Sequence, residues 1–264
     1  MKSFQVHRAD TVLDEAAYQF FCENGYVVLD KFLTIDEVSK AGDLVLELAS
    51  FEKQSGKSHV YGENLQRVWN LLNKNVFFHE LLLSPQIELW MNKIFDRNTI
   101  HQKFFLSSFQ ANILYPGARA QILHIDTPIP EPLPPYAIKA NTIFLLDDFT
   151  EENGATEIIP GSHRNVKRPS RVPTEDDENA LIKVKKPRGS MIISHGNLWH
   201  RSGDNKSSHK RRALLGSFAA SYMREIACED DAARFLTAGM RQIMNPRLYA
   251  MIGGNHGVKP GNNY

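Results

Sequence analysis

Cysteine is nearly absent from this chain: two occur, Cys22 and Cys228, among 264 residues. A disulfide framework and a thiolate metal cage are thereby excluded, and both thiols are expected to stay reduced. An excess of one charge is also lacking, since 31 Lys and Arg stand against 30 Asp and Glu, for a net charge of +1. Nucleic acid and anionic membranes both call for a concentrated basic face, so neither is an expected partner. The basic runs Lys183 to Arg188 and His209 to Arg212 are short enough to be solvated strand edges or turns. Long apolar runs are missing as well. Met1 to Arg8 holds no signal-peptide core, and no stretch reaches the length of a membrane span. These absences predict a cytoplasmic protein and leave its assembly, a homodimer among the options, undetermined.

What is present is the make-up of an ordinary folded domain, 42% hydrophobic and 23% charged, with enough apolar side chain for a sizeable interior. One domain is expected over residues 1–264: a helical N-terminal part (1–97), a β-rich core (98–222), and C-terminal helices with a tail (223–264). Leu13, Ala16, Ala17, Phe20 and Phe21 recur at helical spacing and run into Asn24-Gly25, a helix stop. Tyr26 to Leu33 reads as a strand. Thr34-Ile-Asp-Glu37 is a capping box, in which hydroxyl and carboxylate satisfy each other's backbone donors. Phe51 to Asn64 reads as a loop, and Val68 to Phe95 as helices interrupted at Ser84-Pro85.

After Asn98 the texture becomes β-branched and aromatic. Strands are predicted within Thr99 to Tyr115 and at Ala120 to Asp126, Ala140 to Asp147, Thr156 to Pro160, Leu181 to Lys186, Ser190 to Ser194 and Arg212 to Ala220. Many short strands with helices at the flanks suit a two-sheet antiparallel jelly roll. Ile226 to Met251 returns to helical spacing. Two further segments, the five-proline stretch Thr127 to Tyr136 and the tail Gly253 to Tyr264, are expected to border a substrate entrance.

The chemistry centres on Gln121-Ile-Leu-His-Ile-Asp126. In a strand, His124 and Asp126 project to one face and can grip one ion. The best third ligand is His200, in Gly196-Asn-Leu-Trp-His-Arg-Ser-Gly203. Two histidines and a carboxylate on one face of a metal leave the opposite positions open, as non-heme Fe(II) oxygenases require. Downstream, one of Arg211 and Arg212 must face inward, where its planar fork could receive a carboxylate. Alternation admits only one of them and does not decide which. His163 and His195 suit structural hydrogen bonding, while Phe104, Phe105, Phe109, Tyr136 and Trp199 suit either a substrate wall or the core.

Gln121 to Asp126, Glu152-Asn-Gly-Ala-Thr-Glu-Ile-Ile-Pro-Gly-Ser-His163, Trp199-His-Arg-Ser-Gly-Asp-Asn205 and Arg211-Arg-Ala-Leu214 together resemble the phytanoyl-CoA dioxygenase (PhyH) family, across roughly residues 14–222. The resemblance implies a double-stranded β-helix, a cupin-like jelly roll, and an Fe(II)- and 2-oxoglutarate-dependent dioxygenase that also consumes O₂. It makes His124, Asp126 and His200 the iron ligands and pairs Arg211 with the far carboxylate of 2-oxoglutarate. In the branch that acts on secondary metabolites, it also sets Gln121 and Thr156 against the co-substrate. Gln121 has the wrong parity to share a face with His124 in an ideal strand, so its role needs a twist or a bulge.

The implied reaction oxidises a substrate C–H and releases succinate and CO₂. Hydroxylation is the default; desaturation, epimerisation, rearrangement and endoperoxidation need the same ligands. Asp126 counts against a halogenase, because related halogenases put a small residue there. Two other classes compete, a non-catalytic jelly-roll ligand-binding protein and a Zn²⁺ hydrolase. The intact charged set argues against the first, since a binding protein has no reason to keep it buried. The arginine argues against the second, because generic hydrolysis needs no carboxylate clamp. No acyl-CoA site is legible in the charge pattern.

Overall fold

Strands that are buried along nearly their whole length belong where both faces are covered. Tyr26–Asp30 and Met191–His195 are of this kind. In the computed structural model, which describes residues 1–62, 64–97, 103–223 and 236–254, both lie inside a large sheet. The strands are Phe4–Gln5 (β1), Tyr26–Asp30 (β2), His59–Tyr61 (β3), Leu65–Val68 (β4), Phe104–Leu114 (β5), Lys139–Leu145 (β6), Thr156–Ile158 (β7), Ile182–Lys183 (β8), Met191–His195 (β9), His200–Ser202 (β10) and Arg211–Ala220 (β11). Eight form one sheet in the order β1-β2-β9-β6-β11-β5-β4-β3, and β10-β7-β8 form a smaller one facing it. Pairing is antiparallel except where β1 joins β2. This is the mainly β jelly roll with flanking helices that the sequence predicts.

Alternation along the strands divides the interior in two. Leu214 and Phe218 of β11, with Val27 and Leu29 of β2, turn to the outer face of the large sheet. There they meet the helices Glu15–Asn24 (α1), Ile35–Gln54 (α2), Phe77–Leu82 (α3) and Pro85–Ile94 (α4). Ala213, Val28, Ile143 and Ile192 turn inward and pack against Ile158, Val184 and Leu198 from the opposite side. Helix α1 stops at Gly25, whose φ of 78° is left-handed, and α2 opens on the Thr34/Glu37 capping box. Ser84 caps α4, with Pro85 in its first turn. The remaining helices are Glu175–Ala180 (α5), Ala238–Ile243 (α6) and Pro246–Met251 (α7).

Three local expectations need correction. Helix α2 runs to Gln54 and β3 follows at His59, where the sequence reads as a loop. All of β3 is exposed, so no buried alternation marks it. Leu65–Val68 forms β4, so the N-terminal part supplies four strands as well as helices. Ala120 to Asp126 is not a regular strand; only His124 forms a bridge, to His200. Expectations for Thr99 and for much of Ile226 to Met251 and the tail fall on 98–102, 224–235 and 255–264, outside the described residues.

Candidate active site

The segment from Gly117 to Thr127 lies antiparallel to the stretch from Gly196 to Asn205, which brings distant parts of the chain together. His124 and His200 exchange both backbone hydrogen bonds at 3.0 Å, and Gln121 N–H donates to Ser202 O at 3.0 Å. Three residues on one side of this ladder therefore span two on the other. That is a bulge, and it puts Gln121 on the same side as His124. Leu123 and Ile125 bury themselves with Leu133 and Trp199, which turns His124 and Asp126 the opposite way. Asp126 is further fixed by its backbone N–H, which donates to Gly196 O at 2.9 Å. Gly196 has to be glycine, since a Cβ there would stand 2.7 Å from Lys139 O.

His124, Asp126 and His200 each offer a ligand atom, all within 4.8 Å of one another. His200 Nε2 is 3.2 Å from Asp126 Oδ2, and His124 Nε2 is 3.9 Å from Asp126 Oδ1. The Nδ1 of each ring faces a carbonyl, Ile122 O at 2.8 Å for His124 and Leu198 O at 2.9 Å for His200. A carbonyl only accepts, so both Nδ1 atoms carry a proton and both Nε2 atoms are turned to the common centre. Asn141 Nδ2 donates to Asp126 Oδ2 at 2.6 Å and holds the carboxylate in place. Burial pushes the Asp126 carboxyl up, but the neighbouring imidazoles, His200 foremost, hold it well below the usual range. Burial lowers His124, with His200 pushing the same way. Burial also lowers His200, yet the Asp126 charge outweighs it and leaves the imidazole raised. A metal ion displaces the Nε2 proton that Asp126 favours on His200, and the resulting set of two imidazole nitrogens and one ionised carboxylate, with no fourth protein ligand among the described residues, fits an Fe(II) ion that keeps open positions.

Arg211 lines the same pocket. It is 2% exposed, its guanidinium lies 4.4 Å from the Phe149 ring centre, and its nearest polar contact is Ser202 Oγ at 3.5 Å. Its Nε has no hydrogen-bond partner, and burial pulls its pKa down to about 10. Asp147, the nearest carboxylate to influence it, is engaged by Arg212 through Nε and Nη2 at 2.9 and 2.6 Å. Arg212 lies on the opposite face of β11, where Gly42 of α2 gives it room. The choice left open by alternation is thus settled by geometry. A buried cation with no counter-ion among the described residues is costly unless a carboxylate arrives to pair with it.

The Phytanoyl-CoA dioxygenase (PhyH) family profile matches residues 21–213. The chain belongs to the phytanoyl-CoA dioxygenase family. Enzymes of that family are Fe(II)- and 2-oxoglutarate-dependent dioxygenases. Among its relatives, Dioxygenase af480 of Aspergillus fumigatus is 29% identical over 193 residues, covering 72% of this chain and 59% of that protein. Dioxygenase FrzG of Cladobotryum sp is 26% identical over 265 residues, covering 90% and 84%. The match thus spans less than two thirds of the Aspergillus protein. In fold, the chain is similar to SnoK, a non-heme alpha ketoglutarate dependent carbocyclase from nogalamycin biosynthesis. The TM-score is 0.64 at 19% identity, over 81% of this chain and 86% of SnoK. The epimerase SnoN, solved in complex with Fe3+, alpha ketoglutarate and nogalamycin RO, gives 0.62 at 16% identity, over 78% and 82%.

All six residues singled out from the sequence, Gln121, His124, Asp126, Thr156, His200 and Arg211, line one pocket in this PhyH fold. Thr156 lies across the small sheet from Ser202. His163 and His195 lie elsewhere, with ring centres 5.1 Å apart; His163 Nε2 is near Cys22 O and His195 Nδ1 accepts from Asn197 N–H. Phe104, Phe105 and Phe109 belong to the core, and Trp199 is anchored by Nε1 donating to Lys167 O. Sequence reading missed Asn141, Gln110, Asn112 and Ser217, the inner-face polar residues of β6, β5 and β11. Their signal was available in the period-two pattern Ser108, Gln110, Asn112, which is polar on a face that looks into the barrel.

Proposed function

We propose that this chain is an Fe(II)- and 2-oxoglutarate-dependent oxygenase that oxidises an unactivated C–H of a small organic molecule, hydroxylation being the default outcome. Desaturation, rearrangement and endoperoxidation need the same residues. The nogalamycin biosynthesis to which the structural neighbour SnoK belongs supports a reading in secondary metabolism. In this reading His124, Asp126 and His200 hold the iron, Arg211 receives the far carboxylate of 2-oxoglutarate, and Gln121 and Thr156 flank the co-substrate. The observation that carries it is Arg211, a buried guanidinium without a counter-ion, in the pocket of a two-histidine, one-carboxylate cluster. A zinc hydrolase has no use for that cation.

When bound, iron and 2-oxoglutarate together supply O₂ activation coupled to decarboxylation, with succinate and CO₂ as products. The chain's own residues position and select. The Ile122 and Leu198 carbonyls keep both imidazoles in the ligating tautomer, Asn141 orients Asp126, and Arg211 fixes the length and charge of the co-substrate. Mixed without oxygen, the protein, Fe(II) and 2-oxoglutarate will give a visible charge-transfer band that Arg211→Ala weakens and His200→Ala abolishes. A band indifferent to both substitutions would contradict the reading.

A further inference from the structure

Resting on the proposed oxygenase function, we infer that the prime substrate carries an oxyanion, a carboxylate or a phosphate ester, and that Arg67 of β4 binds it. Charge is the first observation. Among the described residues, four cationic side chains line the pocket, Arg67, Lys139, Arg201 and Arg211, against a single carboxylate, Asp126. Arg201 is already neutralised by Glu157 at 2.6 Å and Glu178 at 2.7 Å. An iron(II) ion, Asp126, a 2-oxoglutarate dianion and Arg211 are together electrically neutral. With the second carboxylate on Arg201 counted, Arg67 and Lys139 leave a net surplus of one positive charge, and no carboxylate of the described residues pairs with either. A neutral substrate would leave that surplus uncompensated, whereas an anionic one balances it.

The second observation is how Arg67 is held. Its guanidinium lies 4.4 Å from the Tyr61 ring centre and 5.5 Å from that of Trp69, so it is stacked at the sheet edge formed by β3 and β4. Its Nε is buried without a partner, and no carboxylate of the described residues pairs with it. A stacked, planar fork with unused donors is pre-organised for an oxyanion. Across the strand, Asn112 adds a buried Oδ1 that also lacks a partner, as expected of a wall built for a polar ligand rather than a hydrocarbon.

The third is separation. Arg211 pairs with Leu114, Leu114 with Leu65, and Arg67 lies two residues beyond Leu65 on the same face. Two strand spacings and one inner-face step place the two backbones about 12 Å apart. Arg67 is thus a second anion site, displaced from the co-substrate clamp toward the sheet edge where Tyr61 of β3 is exposed.

The test is an anaerobic titration of the Fe(II)–2-oxoglutarate complex, read by tryptophan fluorescence and by the charge-transfer band. The probes are hexanoate and benzoate against hexanamide and benzamide, and phenyl phosphate against phenol. In the wild type an anionic probe will bind at least tenfold more tightly than its neutral counterpart. Whether the carboxylates or the phosphate show the larger preference identifies the oxyanion. In Arg67→Gln the preference will disappear while the band still forms at unchanged 2-oxoglutarate concentration, and Arg67→Lys will restore part of it. Equal binding of acids and neutral counterparts, absence of binding by every anion, or a preference that survives Arg67→Gln overturns the inference. So does loss of the band in Arg67→Gln, which would assign Arg67 to the co-substrate. Failure of the wild type to form any band instead overturns the oxygenase reading.

Discussion

Arg211 and Arg212 are neighbours in sequence and opposites in physics. Arg212 forms a bidentate pair with Asp147 and is roughly one-fifth exposed, so it is a structural cation. Arg211 is buried without a carboxylate partner among the described residues, and in the proposed function it is the cation that receives a ligand. Arg212→Ala is expected to cost about 1–2 kcal/mol of stability, discounted for its partial exposure, and to leave ligand-induced stabilisation intact. Arg211→Ala is expected to abolish the rise in Tm that Mn(II) with 2-oxoglutarate gives the wild type; thermal unfolding of both variants with and without these ligands checks the pair. Asn141→Ala removes the 2.6 Å donor to Asp126. The loss of an orienting hydrogen bond predicts metal affinity lower by about 10–100-fold, measured by competition with a chelator, with co-substrate affinity preserved once metal is saturating.

At the scale of elements, the irregular stretch before Asp126 carries most of the design. Its bulge brings Gln121 and His124 to one side, and its apolar residues Leu123 and Ile125 anchor it from the other. Much of this was legible: the period-two pairing of His124 with Asp126 depends only on local geometry, the helix ends at Gly25 and Thr34 follow from stop and capping signals, and the break at Ser84-Pro85 follows from the proline. The bulge could be inferred only because the resemblance demanded that Gln121 face the site. The edge hairpin β3–β4 was not legible, since β3 exposes every residue and so lacks the alternation by which strands announce themselves. With it went Arg67, whose position depends on a pairing between β4 and β5 that no local pattern encodes. The choice between Arg211 and Arg212 was equally long-range, resting on Asp147 and Gly42.

Across the whole molecule, the helices stiffen one face of the large sheet while the site opens on the other. The link between them includes His195 of β9, stacked near Phe21 of α1 and His163. Burial pushes His195 down to about 3, and burial also lowers His163. Both are neutral in the folded protein at pH values where the unfolded chain already binds protons. Their contribution to stability is therefore complete above about pH 6.5 and is lost as the pH falls, for His195 down to about 3. The expected slope is up to about 1.4 kcal/mol per pH unit for each group. Urea unfolding at pH 7.5 and pH 5 should show this loss, and His195→Gln should make it shallower. A pH-independent midpoint would remove the two histidines from the account. No helix among the described residues is long and apolar enough to cross a membrane.

In the proposed function one iron and one 2-oxoglutarate share the space between the His124–Asp126–His200 cluster and Arg211. A crystal structure with Mn(II), which does not start turnover, and 2-oxoglutarate tests it most directly. The expected result is a metal bound by both Nε2 atoms and an Asp126 oxygen, with the co-substrate's far carboxylate on Arg211 and Arg67 left free. A metal bound elsewhere, or a co-substrate that ignores Arg211, would contradict the account.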